Sequence, residues 1–300
     1  MMRKNEFARL SSGGAQTKLF GIKMLTPTIL VLLVMTAYPL VFTLVYSFTN
    51  YNYLKHANRP ADFVLFKNYI DLFQNEYFRQ AVLNTIKFTI LAVVLEMLLG
   101  LLVAVFIHSL KRGQKVMRTL LLLPYLLPAV TVALSWRMML SSNYGIINQF
   151  LTSLGLPYYN WFLDTKTAFG TILVIDVWQN VPFVFLLLFA SLQSVPEGQY
   201  EAARIDGADA IHQFWYITIP NIKNSLALCA LLRTIDTFRL FEKVNVLTGG
   251  GPAGTTTTIT QFLYNYGIKS LDFGFGSAGA IVMTVLVLIL SSFYIKRAMG

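Results

Sequence analysis

Six apolar stretches, each about as long as a membrane-spanning helix, constrain this chain more than any other feature of its sequence. They lie at 25–48, 83–110, 119–140, 171–194, 224–247 and 275–295, and a helix needs roughly 20 residues to cross a bilayer. Lipid offers no partners for backbone hydrogen bonds, so such stretches have to be helices. The predicted fold class is therefore all-α, a polytopic membrane protein with six transmembrane helices.

The positive charge of the chain is unevenly distributed along it. The formal net charge is +10, which in a soluble protein could indicate binding to nucleic acid. Here the basic residues concentrate between alternate apolar stretches, most clearly at Lys111, Arg112, Lys115 and Arg118. The positive-inside rule then places this loop, both chain ends and the segment after the fourth stretch in the cytoplasm. We therefore predict a multi-pass protein of the lipid bilayer with cytoplasmic termini and no nucleic-acid partner.

The chain divides into a short arm and one membrane domain. Residues 1–24 are polar and basic and are predicted to form a mobile cytoplasmic arm. Residues 25–300 are predicted to form the transmembrane domain, with outer loops at 49–80 and 248–274 and a cytoplasmic loop at 194–223. No small-residue cleavage site follows the first stretch, so we expect an uncleaved helix and not a signal peptide.

One polar segment, Ser194–Pro220, has the pattern of two short helices joined by a tight turn. Its first serine can cap a helix, with Glu197 three residues later in a capping-box spacing. Gly207 suits a left-handed stop at the end of that helix, and Asp209 can cap the next one. We expect the closing proline to end the second helix.

The spacing of residues in this hairpin resembles the EAA loop of bacterial binding-protein-dependent ABC importer permeases. The residues that carry the resemblance are Glu201, Ala202, Ala203, Gly207, Ala208, Phe214, Ile217 and Pro220. PYLLP at 124–128 and LTGGGP at 247–252 resemble segments of the sugar-transporting subgroup. The resemblance implies that the hairpin contacts an ATPase through Glu201, Ala202, Ala203, Gly207, Ala208, Phe214 and Pro220.

A permease of this kind is one subunit of a larger carbohydrate importer, similar to the first permease of maltose-type and glycerol-phosphate-type systems. The resemblance implies a cytoplasmic coupling hairpin on a six-helix fold, placed in the bacterial inner membrane. It implies a second, homologous permease subunit, an ATPase dimer that binds ATP with magnesium, an extracytoplasmic solute-binding protein and a saccharide ligand. This chain would be non-catalytic and bind no cofactor. Its LTGGGP segment is not a nucleotide loop, because Thr255 stands where the phosphate-binding lysine is required.

Polar residues inside the second and fourth stretches are candidates for a functional site. Glu96 lies near the middle of the second stretch, where a carboxylate costs on the order of 3 kcal/mol or more. We expect it to face the bundle interior, paired or protonated, and both a structural and a functional role remain open at this point. Asp176, Gln179 and Asn180 share one helical face of the fourth stretch, which favours a face that lines a pathway over polar contacts between helices.

The fifth stretch is the most charged. One broad stripe of its helix is predicted to carry Arg233, Asp236, Thr237, Leu240 and Lys243. Asp236 can pair with Arg233 or with Arg239 at helical spacing. Three cations still exceed the two acids of this stretch, so we expect the surplus to meet water or an anionic ligand.

The family resemblance places sugar-contacting positions on the fourth and fifth stretches. The positions that match are Asp176, Gln179, Asn180, Phe183, Arg233, Thr237 and Leu240. Arg233 and Asp176 depart from the small polar side chains of neutral-sugar relatives, and a guanidinium suits a carboxylate or phosphate. One hypothesis is an acidic oligosaccharide, such as an oligouronate of the alginate kind, or a sugar phosphate. The alternative is a neutral sugar, with Arg233 neutralised by Asp236 or Asp176.

Other classes of function remain open at this point. A proton-coupled secondary carrier would use Glu96 and Asp176 as a relay, but it leaves the hairpin unexplained. A receptor or scaffold would leave the intramembrane charges without a purpose, and an ABC permease for another small solute, such as an amino acid, is a nearer rival. The histidines, His56, His108 and His212, are far apart, so we expect no metal site. No arrangement of nucleophile and base indicates a catalytic residue.

Overall fold

The computed structural model describes residues 3–55, 60–110 and 112–299. Regular structure in these ranges is helical, apart from two isolated antiparallel bridges that join Thr49 to Phe63 and Asn52 to Asp272. Two residues named above, His56 and Lys111, lie outside the described ranges.

The helices follow one another closely along the chain. Those of its first part are α1 (Arg3–Ser47), α2 (Lys67–Gln74), α3 (Glu76–Ser109), α4 (Gln114–Leu126), α5 (Ala129–Met139), α6 (Ile146–Ser153) and α7 (Ala168–Leu192). Those of its second part are α8 (Glu197–Ile205), α9 (Ala210–Gln213), α10 (Ile219–Phe238), α11 (Glu242–Leu247), α12 (Ile259–Leu263) and α13 (Phe273–Met299). Two π-helical turns, Phe214–Thr218 and Tyr264–Lys269, follow α9 and α12.

Four helices of the described ranges are long and apolar enough to cross a bilayer: Ile22–Ser47 of α1, α3, α7 and α13. A fifth span arises if α4 and α5 count as one broken span, since they are bent by 90°. The third predicted stretch is therefore not one straight helix. Leu127 and Pro128 have extended backbone angles between the two helices, because proline lacks an N–H and disfavours a helical residue before it.

The fifth predicted stretch has different bounds in the structure. Its helix, α10, begins at Ile219 and ends at Phe238, and a break separates it from the short α11. The prediction that Pro220 ends the second hairpin helix is wrong. Pro220 lies in the first turn of α10, where a missing N–H is tolerated.

The first helix lies along α13 and carries most of its apolar side chains exposed. It already begins at Arg3, so the described part of the predicted arm continues the spanning helix and is not irregular. The division into an arm and a membrane domain stays a prediction.

The centre of the bundle is formed by α3 and α7. A Cβ atom at Gly100 of α3 would lie 2.5 Å from Cγ1 of Val184 in α7, so the glycine lets the two helices approach closely. Phe189 of α7, Ile107 of α3 and Ile222 of α10 are buried in the same apolar cluster. This packing holds polar residues of three helices near one another in the interior.

Candidate functional site

A buried ion pair joins α3 to α10. The Arg233 guanidinium donates through Nε to Glu96 Oε2 at 2.7 Å and through Nη2 to Glu96 Oε1 at 3.1 Å. The side chains are 4% and 0% exposed, respectively. Such a two-bond contact is the strong form of a charged hydrogen bond. Glu96 thus faces the interior and is paired, as the cost of a lone carboxylate requires.

A second buried pair joins α7 to α11. Lys243 Nζ contacts Asp176 Oδ1, and both side chains are buried. Asn180 donates through Nδ2 to the same oxygen at 3.0 Å and to the Asp176 carbonyl at 2.9 Å. Lys243 reaches this place from a separate short helix, and not along the continuous stripe that the sequence predicted.

Gln179 makes a hydrogen bond to the backbone between α4 and α5. Its Nε2 donates to the carbonyl oxygen of Leu127 at 2.9 Å, between α4 and α5. Because proline follows Leu127, this carbonyl lies where helical pairing is interrupted. On the predicted polar face of α7, Gln179 and Asp176 therefore both contact neighbouring segments of the chain. Two acceptors on this face, Asp176 Oδ2 and Gln179 Oε1, are buried without a hydrogen-bond partner.

The buried charges balance one another. Among the described residues, the buried charged side chains are Glu96, Asp176, Arg233 and Lys243, two acids and two bases. Asp236, which is half-exposed, lies 3.6 Å from Arg233. The predicted neutralisation of Arg233 by an acid is therefore present, but its principal partner is Glu96. Sequence reasoning missed this pairing, because 137 residues separate the two.

Two of the remaining predicted path residues, Thr237 and Phe183, lie next to Arg233. Thr237 Oγ1 donates to the Arg233 carbonyl at 2.7 Å, and the Phe183 ring centroid lies 6.0 Å from the guanidinium carbon. Leu240 lies in the break between α10 and α11. Its carbonyl accepts hydrogen bonds from Thr258 Oγ1 at 3.0 Å and from Thr260 Oγ1 at 2.5 Å. Neither threonine belongs to the residues that the sequence pattern singled out.

The second region of interest is the hairpin, Ser194–Pro220. Its first helix begins at Glu197 and has no side-chain cap, because Ser194 Oγ instead donates to the Ser191 carbonyl at 2.7 Å. The predicted capping box is therefore wrong. Gly207 has φ of +82°, which confirms the left-handed turn.

The second hairpin helix begins as the sequence predicted. Asp209 Oδ1 accepts a hydrogen bond from the backbone N–H of His212 at 2.8 Å and also contacts His212 Nδ1 at 2.8 Å. The backbone N–H, followed by the imidazole, lowers the pKa of the Asp209 carboxyl.

The outer surface of the hairpin is available for contact. Glu201, Ala202, Gly207 and Pro220 are exposed, and Ala203, Ala208 and Phe214 are half-buried. Ile205 is 87% exposed and Tyr216 is 77% exposed. Exposed apolar side chains on a polar hairpin are typical of a protein contact.

A cavity of about 810 Å³ separates part of the hairpin from the bundle. The ends of α3 and α7 form one side, with His108 and Gln193, and the hairpin forms the other, with Arg204 and Gln213. The hairpin therefore packs on the bundle only in part. No group of three His, Cys, Asp or Glu residues that could hold a metal occurs in the described ranges.

The model of one protein family, "Binding-protein-dependent transport system inner membrane component", matches residues 96–297. The chain belongs to this family. It is 39% identical to the trehalose/maltose transport system permease protein MalF of Thermococcus litoralis, over 78% of this chain and 79% of that one. It is 32% identical to the sulfoquinovosyl glycerol transport system permease protein SmoG of Agrobacterium fabrum, over 93% and 90%.

The fold of this permease is also seen in a solved importer. A chain of a bacterial ABC transporter for import of the acidic polysaccharide alginate aligns with a TM-score of 0.84 over 97% of this chain and 98% of that one. The two are 23% identical. The match supports the all-α permease fold, which the six apolar stretches and the hairpin predicted.

Proposed function

We propose that this permease forms part of the path for a neutral saccharide in an ATP-driven importer of the bacterial inner membrane. The observation that supports this substrate class is the charge balance of the buried charge cluster, which consists of Glu96, Asp176, Arg233 and Lys243. Arg233 makes two hydrogen bonds to Glu96, and Lys243 contacts Asp176. A ligand carboxylate or phosphate would have to displace one of these carboxylates, which would then remain buried without its partner.

The unpartnered acceptors support the same substrate class. Asp176 Oδ2 and Gln179 Oε1 can accept hydrogen bonds, and a saccharide supplies hydroxyl donors. A carboxylate offers acceptors only and would be repelled there. The similarity to a trehalose/maltose permease, whose named sugars carry no charge, agrees with this choice.

An acidic saccharide is the second candidate, and one observation favours it. The Arg239 guanidinium is 61% exposed and its ion pair with Asp236 is loose, at 3.4 Å. An exposed pair is weak and can be exchanged for a ligand carboxylate. In this case Arg239, and not Arg233, would meet the anion.

The partners of this proposal follow from the hairpin and from the family. A binding-protein-dependent system needs a solute-binding protein outside the membrane and an ATPase pair inside it. In this proposal the permease itself binds no nucleotide. The exposed hairpin would dock on the ATPase, which binds ATP with magnesium, and a second, homologous permease would complete the path. Both chain ends and the hairpin would be cytoplasmic, as the positive-inside rule predicts.

The test is uptake by the complete importer, purified with its partner subunits and reconstituted in proteoliposomes. We expect ATP-dependent uptake of maltose or trehalose and none of an oligouronate. Arg239→Gln should change that uptake by about fivefold or less, the range of an exposed ion pair. If the native importer takes up the oligouronate and the Arg239→Gln variant does not, the substrate is the acidic saccharide and not the neutral one. Uptake driven by a proton gradient without ATP would overturn the importer proposal itself.

A further inference from the structure

The base of the hairpin is braced by two hydrogen bonds between its arms. The hydroxyls of Tyr200 in α8 and Thr218 in the first π-helical turn lie 3.0 Å apart, and Thr218 is 6% exposed. Asn221 in α10 donates through Nδ2 to Gln199 Oε1 at 2.8 Å. The first bond joins α8 to the residue immediately before α10, and the second joins α8 to the first turn of α10.

The chain between α9 and α10 would bend easily without this brace. Phe214–Thr218 is a π-helical turn, and helices bend at such turns. Pro220 lies two residues after this turn and has no N–H to donate in the α-helical register. A displacement of the hairpin tip could therefore bend this turn without moving α10.

The rest of the hairpin adds little support. The cavity of about 810 Å³ separates α8 and α9 from the ends of α3 and α7 over much of their length. Among the described residues, the hairpin contributes Val195, Tyr200 and Ile217 to the buried apolar cluster of the bundle, all three near its base. Movement of the tip must reach the bundle through this region.

We infer that Tyr200, Thr218, Gln199 and Asn221 are positioning residues that transmit hairpin movement to α10. With both bonds in place, α8 and the start of α10 form two sides of one braced unit, so the π-helical turn cannot flex independently. The helix α10 carries Arg233 to the buried charge cluster, so the brace links the hairpin to the candidate path. The inference rests on the proposed coupling function of the hairpin.

The test separates coupling from folding by measuring two quantities on the complete importer in proteoliposomes: ATP hydrolysis and ATP-dependent maltose uptake. Tyr200→Phe and Thr218→Val each remove one hydroxyl. We expect each to lower the maltose transported per ATP hydrolysed by about fivefold, the factor for losing one hydrogen bond, while ATP hydrolysis persists. Thr218→Ser keeps the hydroxyl and should restore the ratio.

A matched control removes a hydroxyl that does not brace the hairpin. Thr284→Val alters a threonine whose Oγ1 donates to the Ala280 carbonyl within α13. It should leave the ratio unchanged. An unchanged ratio in Tyr200→Phe and Thr218→Val would overturn the brace, as would equal losses in Thr218→Val and Thr218→Ser.

A third variant keeps this inference separate from the coupling proposal. Gly207→Pro cannot adopt the φ of +82° at the hairpin turn, and should abolish transport while the protein stays in the membrane. Loss in Gly207→Pro with no effect of the brace variants would reject the brace alone. Normal transport and coupling in Gly207→Pro would reject the coupling function, and the brace with it.

Discussion

At the scale of single residues, the buried cluster explains how a membrane helix can carry several charges. Arg233 and Glu96 lie in helices that are far apart in sequence, and each would be too costly to bury alone. As a pair, they connect α3 and α10 in the interior through an ion pair. A surplus of cations within one stretch therefore does not by itself indicate an anionic ligand.

Breaking this pair should destabilise the permease. Glu96→Gln and Arg233→Gln should each lower the free energy of unfolding by about 3 kcal/mol or more, because each leaves a buried charge without its partner. The double variant should cost less than the sum of the two. Thermal unfolding of the detergent-solubilised protein measures this, with the exposed Glu201→Gln as control. Additive losses in the double variant would contradict the pairing.

At the scale of elements, the hairpin shows that residue type predicts a turn or a helix cap where no tertiary contact involves the same residue. Gly207 and Asp209 perform the roles that their types predict, since the turn and the cap are exposed and local. Ser194 does not, because its hydroxyl donates to the Ser191 carbonyl in the last turn of α7. Pro220 joins the first turn of a longer helix, because the chain continues directly into the bundle.

The cap at Asp209 should respond to pH in one direction. Its carboxyl pKa is lowered in the folded protein, so the cap is fully formed above the ordinary carboxyl pKa and is lost only as pH falls through the lowered one. We expect protection of the His212 amide from hydrogen exchange to persist at about pH 4. Asp209→Asn should keep this protection at all pH values, and Asp209→Ala should lose it at neutral pH. Equal protection in Asp209→Ala and the native protein would rule out the cap.

At the scale of the whole molecule, the order of the spanning helices fixes which loops share a side of the membrane. The hairpin follows α7, and the exposed loop residue Lys166 precedes it, so the two lie at opposite ends of one span. The prediction from basic residues is that the hairpin is cytoplasmic.

A labelling experiment checks this orientation. Cys229 is the single cysteine and is buried, so the native protein should stay unlabelled by a membrane-impermeant maleimide. Lys166→Cys should react in intact cells whose outer membrane has been made permeable. Ile205→Cys should react only in inverted membrane vesicles. The reverse pattern would show that the assigned orientation is wrong.

The sequence by itself determined the helical class, four of the six spanning stretches, and the left-handed turn and Asp209 cap of the hairpin. These depend on apolar length and on neighbours within a few residues, which a linear pattern records. Only the tertiary structure decided that Arg233 pairs with Glu96 and that Lys243 approaches Asp176 from a separate helix. It also decided that the third stretch forms two helices, α4 and α5, bent by 90°. Each of these depends on which helices pack together, and a buried charge takes the partner that packing brings within reach.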